Sequence, residues 1–152
     1  MQRQIGLATV AFAAFLAATG VSRAADQAGV SAAVHGNIEL VGLSAPKTVG
    51  RQVRSGEKIY LGDHITSGAD AGMQIMLLDE TVFTIGPNSD LTIDQFVYDP
   101  STGAGKVSAN ITKGLFRFIL GKVAHYQPSN MEVKVTGAAI GISGTSVIGQ
   151  IQ

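Results

Sequence analysis

The sequence predicts an all-β fold, and two observations carry that reading. Apolar residues return at a period of two: Met131, Val133 and Val135 alternate with Glu132, Lys134 and Thr136, and Met73, Ile75 and Leu77 with Gln74, Met76 and Leu78. Successive side chains of a strand point to opposite faces, so this alternation makes strands, whereas a helix needs apolar residues every three or four positions. Turn formers then punctuate the chain at Gly36, Gly42, Gly56, Gly62, Gly68 and Gly72, at Gly86-Pro87-Asn88, from Pro100 to Gly105, and at Gly114, Gly121 and Pro128. That spacing leaves room for short strands and for no convincing helix after Ala25.

A shorter repeat bears on how the strands are arranged. Gly56-Glu57-Lys58-Ile59 returns as Gly62-Asp63-His64-Ile65, and the next glycine is Gly68. Glycine, acid and isoleucine at a fixed spacing resemble the turn-strand-turn rungs of a β-solenoid, each stacking its apolar side on the next. A solenoid-like arrangement is therefore the first expectation, with a β-sandwich or barrel as the alternative.

Taken in order, residues 1–24 read as a secretory signal peptide. Arg3 gives a positive start, Ile5 to Val21 is an uncharged apolar run, and Ser22-Arg23-Ala24 offers small residues where a signal peptidase reads, so cleavage is expected between Ala24 and Ala25. Residues 25–33 read as a linker and 34–152 as one β domain. The sequence has no cysteine, so an exported chain of this kind must be held by packing rather than by disulfides. Loss of Arg3 and Arg23 with the leader turns the balanced charge slightly negative. Nucleic acid is thereby a poor partner.

Pro87 fixes φ and Asn88 tolerates the left-handed region, so Gly86 to Ser89 reads as a β-turn joining strand Val82–Ile85 to strand Leu91–Asp94. In Lys113-Gly114-Leu115-Phe116-Arg117-Phe118, Phe116 and Phe118 fall on one face, inward, with Leu115, Arg117 and Ile119 on the other. Val135 is expected to face the core. The final stretch reads as two strands, Val133–Ile142 and Thr145–Ile151, turned at Ser143-Gly144, the second an unpaired edge: either a docking site or the point where a longer protein stops.

Catalytic and ligand motifs fail on inspection. Asp99 to Val107 has Pro100 where a phosphate loop needs its first glycine and Val107 where it needs a magnesium-binding hydroxyl. Gly141-Ile142-Ser143-Gly144-Thr145 lacks the second glycine and the following helix of a nucleophile elbow. The histidines His35, His64 and His125 are scattered. Asp63, Asp70, Asp79, Glu80, Asp90, Asp94 and Asp99 could offer oxygen ligands to calcium, but their spacings match no calcium loop, and Asp at such corners caps its own backbone. No cofactor and no metal site are expected. The acidic run Asp63–Asp99 against the basic run Lys106–Lys134 reads first as internal complementarity and second as an acidic face for a basic partner.

Three longer stretches, "GDHITSGADAGMQIMLLDETVFTIGPNSDLTIDQFVYDP", "KGLFRFILGKV" and "VKVTGAAIGISGTSV", together resemble the FecR domain family, named for the periplasmic part of the ferric citrate sensor. The resemblance runs from about Val34 to Val147. It rests on Gly62-Asp63 with Ser67-Gly68, on Gly86-Pro87-Asn88-Ser89, on Gly114 and Phe116, and on Ile140-Gly141-Ile142 with Gly144-Thr145. Where the family usually shows an Asp-Gly hairpin this chain has Asp79-Glu80, which puts an ideal type I′ turn in doubt. Family members often carry a basic residue where Ser143 stands.

The resemblance implies a domain that relays the state of an outer-membrane transporter through a transmembrane helix to a cytoplasmic anti-sigma segment. Here a signal peptide stands in place of those two parts. The expected protein is therefore an exported, non-catalytic module of a Gram-negative-type periplasm or cell surface that binds envelope or surface proteins. The alternatives are a structural module of a larger secreted or surface-attached protein, and a carbohydrate- or calcium-binding envelope protein.

Overall fold

The computed structural model describes residues 26–43, 50–136, 138–141, 144 and 146–152. Their strands are β1 (Gln27–His35), β2 (Ile38–Val41), β3 (Arg51–Gln52), β4 (Lys58–Tyr60), β5 (His64–Ser67), β6 (Gly72–Leu77), β7 (Val82–Ile85), β8 (Asp90–Tyr98), β9 (Gly105–Ile119), β10 (Met131–Val135), β11 (Ala138–Gly141) and β12 (Ser146–Ile151). A short helix α1 (Lys122–Tyr126) and one 3-10 turn (Pro128–Asn130) lie between β9 and β10.

The long strand β9 organises everything else. Its first part, up to Lys113, lies between β8 and β10, and its second, Gly114–Ile119, lies between β7 and β12. Two wings of one twelve-stranded sheet therefore meet along it. One wing runs β3-β2-β5-β8-β9 with β10 and β11 beyond, and the other β4-β1-β6-β7-β9 with β12 beyond. The strand changes wings at Gly114, whose φ of 97° is open to glycine and strained for other residues.

Both wings turn their inward rows onto one core. Ile65, Leu91, Ile111 and Val133 come from the first wing, and Ile75, Phe83, Ile85 and Phe118 from the second, all at most 1% exposed. Phe83 and Phe118, opposite each other on β7 and β9, meet edge to face with ring centroids 4.4 Å apart. Each fully buried ring contributes about 1.5–3 kcal/mol of transfer free energy. Phe116 is buried as expected, and Leu115, Arg117 and Ile119 face outward.

The all-β class stands, but the solenoid arrangement does not. Every described pairing is antiparallel except β9 with β10, whereas solenoid rungs stack in parallel. The six-residue repeat also fails to stack: β4 pairs with β1, and β5 pairs with β2 and β8 in the other wing. A strongly bent antiparallel sheet around one core is closer to the sandwich or barrel alternative.

Further corrections follow from the same geometry. Of the expected linker, residues 27–33 are instead the start of β1, a strand paired on both sides with β4 and β6. The chain after Ala25 does contain a helix, the five-residue α1, too short to show a period in the sequence. The strand drawn from Val133 to Ile142 breaks after Val135 and folds back, so that β10 and β11 form a hairpin with Glu132 opposite Gly141. The last strand is an edge, but a paired one: β12 runs antiparallel to β9 from Ser146 opposite Ile119 to Ile151 opposite Gly114, and among the described residues nothing pairs with its other side. Val135 is only half-buried against the core, while Met131 and Val133 are fully inside. The signal peptide with Ala24 and Ala25, and Ile142, Ser143 and Thr145, lie outside the described residues.

Candidate functional site

The motif residues Ser67, Gly68, Gly86–Ser89 and Gly114 converge on one joint, where the chain passes between wings. Ser67 ends β5, and its N–H donates to the Ser89 carbonyl at 2.9 Å. Its hydroxyl donates to the Gly86 carbonyl at 2.6 Å and accepts the Ser89 N–H at 2.8 Å. The Ser89 hydroxyl then donates to the Leu115 carbonyl at 3.1 Å, and the Gly86 N–H donates to the same carbonyl at 2.8 Å. The Gly86–Ser89 turn is thus clamped between the end of β5 and the bend of β9. Asn88 takes the left-handed conformation, φ 51°, and its N–H donates to the Gly68 carbonyl at 3.1 Å.

Gly114 is required by this joint twice over, once by its positive φ and once by space. A Cβ there would lie 2.1 Å from the Ser89 hydroxyl oxygen. The turn carries the chain from one wing to the other rather than forming a hairpin, since β7 and β8 do not pair with each other. Strand-to-sheet crossings of this kind leave backbone groups without ladder partners, and the two serines supply them.

Gly62 and Asp63 form a second joint. Gly62, φ 81°, donates its N–H to the Ile93 carbonyl at 2.9 Å and so ties the β4–β5 turn to β8. Asp63 is buried, and its Oδ2 accepts the Tyr60 N–H at 2.9 Å. Burial pushes its carboxyl above the ordinary value, against the opposing pull of the Tyr60 N–H and Arg51.

A third joint lies outside the motifs legible in the sequence. Asp79, fully buried in the β6–β7 hairpin, accepts the Thr81 N–H at 3.1 Å and hydroxyl at 2.8 Å, and the Val123 N–H at 3.3 Å. It therefore caps the free end of α1 from a distant part of the chain. Gly121 allows the approach, because a Cβ there would stand 2.3 Å from the Asp79 carbonyl oxygen. Lys122 and Glu80 close the outside of this joint as an exposed ion pair at 2.5 Å. The signal for it was present in the sequence as a lone Gly121-Lys122, with nothing local to show its distant partner.

The joints bring no two histidines together. The three histidines stand on separate elements: His35 on β1, His64 on β5 beside Asp90 at 2.8 Å, and His125 on α1 against the Tyr126 ring. Among the described residues no three His, Cys, Asp or Glu side chains gather as a metal site. The acidic run is partly absorbed internally, by the pairs Asp90 with His64 and Glu80 with Lys122.

What the joints leave free is an outward apolar face on the second wing. Val30, Met76, Val82 and Ile119 lie opposite one another across β1, β6, β7 and β9, forming a row four strands wide. Met76 is 43% exposed and Ile119 38%, and Leu78 and Ile148 beside the row are more open still. Met76 and Leu78 were legible as the odd apolar residues on the solvent side of an alternating strand. Away from this row, at the far end of β12, Asn88, Lys113, Leu115 and Gln150 line a groove of about 380 Å³.

A family model described as FecR protein matches residues 63–152, which contain the first and third joints, Asp63 of the second, and Met76, Val82 and Ile119 of this face. Searches of the curated proteins and of the solved structures found no match. Among the described residues no helix is long and apolar enough to cross a membrane.

Proposed function

The chain belongs to the FecR family, and from that premise we propose that it is an exported, non-catalytic protein-binding module, akin to the periplasmic sensing domain of this family of signal-transduction regulators. Its setting is the periplasm or cell surface of a Gram-negative-type bacterium, and its partners are envelope or surface proteins. The family is a regulatory one, which fits binding better than turnover.

One observation carries the reading: the apolar row Val30, Met76, Val82 and Ile119 lies on the outside of the sheet instead of in the core. Contiguous exposed apolar surface mixed with polar neighbours marks contact surfaces. The buried Ser31, Ser67, Asp79, Thr81 and Ser89, by contrast, are engaged in holding strands together.

The test is a photo-crosslinking amino acid placed in turn at Met76, on this face, and at Lys134, exposed on the other wing. In cells, Met76 is expected to give a discrete adduct with an envelope protein, and Lys134 none. Adducts from neither position, together with hydrolysis of a glycan or peptide by the purified chain, overturn the proposal.

A further inference from the structure

We propose that the open edge of β12 receives an extended acidic segment of a partner protein as an added β-strand. The proposal rests on the reading of the chain as a binding module and specifies the chemistry of what it binds. β12 is paired along its whole length on one side, to Gly114–Ile119 of β9, and among the described residues nothing pairs with its other side. A row of free N–H and C=O groups is thereby held rigidly in extended form, which is the template for strand addition.

The edge lacks the guards that normally prevent such pairing. Ser146–Ile151 contains no charge and no proline, and Ile148 at its centre is 67% exposed. The other edges are poorer templates. β3 has two residues, and its Arg51 is paired with Glu57; β4 has three residues, beginning with Lys58; β11 has four. Natural sheets blunt an edge with charge or brevity, and β12 is blunted by neither.

Charge chooses the occupant. Arg117 lies directly opposite Ile148 on the outward face, and Lys113 lines the groove at the end of β12 where Ile151 meets Gly114. Arg117 has no ion-pair partner among the described residues. Neither β7, nor β12, nor Gly114–Ile119 contains an acid. An added strand would run about 10 Å from the β9 backbone, two strand spacings, within the combined reach of an arginine and a glutamate side chain. Its outward positions suit an apolar residue beside Ile148 with carboxylates flanking it. A second copy of the chain fits less well, because it would bring another uncharged strand and another Arg117 to the same place.

The test uses labelled peptides of about eight residues, one alternating valine with glutamate and one alternating valine with lysine, titrated into the purified chain by fluorescence anisotropy. The glutamate peptide is expected to bind on the order of tenfold more tightly, and to weaken as ionic strength rises. Arg117→Glu should reverse the preference, and Arg117→Gln should abolish it while leaving the fold intact. Amide exchange of β12 should slow on binding. Equal affinity for the two peptides, binding of neither, or cross-linking of Ile148→Cys chains to each other without displacement by the glutamate peptide each overturn the proposal. Should the peptides fail while Met76 still gives its envelope adduct, the strand-addition inference falls and the binding-module reading survives.

Discussion

Ser67 and Ser89 are joined by a closed pair of hydrogen bonds, the Ser67 N–H to the Ser89 carbonyl at 2.9 Å and the Ser89 N–H to the Ser67 hydroxyl at 2.8 Å. Both residues are buried, so water cannot replace what either one supplies. Ser67→Ala would orphan the Ser89 N–H and remove a bond to the Gly86 carbonyl. A loss of about 2–3 kcal/mol is expected from such unsatisfied groups, read as a lower denaturant midpoint with unchanged slope. A shift within experimental error would mean that the wings are not held together at this joint.

Gly114→Ala tests the same joint from β9. The substitution combines a φ of 97° with a Cβ 2.4 Å from the Ser89 Cα, so neither the backbone nor its neighbour can yield cheaply. Destabilisation on the order of 3 kcal/mol or more is expected in chemical unfolding. Tolerance of alanine would show that β9 does not bend there.

The Asp79-Glu80 hairpin gives the opposite sign. The Glu80 N–H donates to the Leu77 carbonyl at 3.0 Å, and Glu80 itself sits at φ 69°, so the turn is a type I turn followed by a left-handed residue and not type I′. Glu80→Gly removes the steric cost of that conformation. The lost ion pair to Lys122 is exposed on both sides and offsets little. The variant should gain on the order of 1 kcal/mol of stability, measured by thermal unfolding. A loss of stability would instead mean that the ion pair outweighs the strain.

Val133 and Val135 show where sequence reading reached and where it stopped. Alternation correctly gave the strand and its inward row, but could not say that β10 ends at Val135, where the hairpin begins and burial fades. Val133→Asp should cost several kcal/mol, on the order of 3 or more, by placing an unpaired charge in the core. Val135→Asp should cost clearly less, and equal losses in unfolding measurements would reverse the assignment. The same limit explains the misjudged arrangement. Period-two patterning reports which face is buried, but not which strand lies alongside, so the repeat Gly56–Ile59 and Gly62–Ile65 looked like stacked rungs. The motif glycines were legible as special positions because turns and positive φ have a local signature. The distant contacts that require them, such as Asp79 with Val123, have none.

Asp63 makes the stability of the fold depend on pH in an unusual direction. Burial raises its carboxyl above the ordinary value, so the folded chain holds this proton more tightly than the unfolded chain does. Its contribution is complete below the unfolded value and is lost as pH rises through the higher folded one, because the native state then carries a buried charge. Asp63→Asn keeps the shape and an oxygen to accept the Tyr60 N–H, and removes the titration. The variant is expected to match or exceed the parent chain in stability at neutral pH, with the difference shrinking as pH falls toward the ordinary carboxylate range. Denaturant unfolding across that interval decides the point: a parent chain that gains on the variant as pH rises would show that the hydrogen bond from Tyr60, and not burial, governs Asp63.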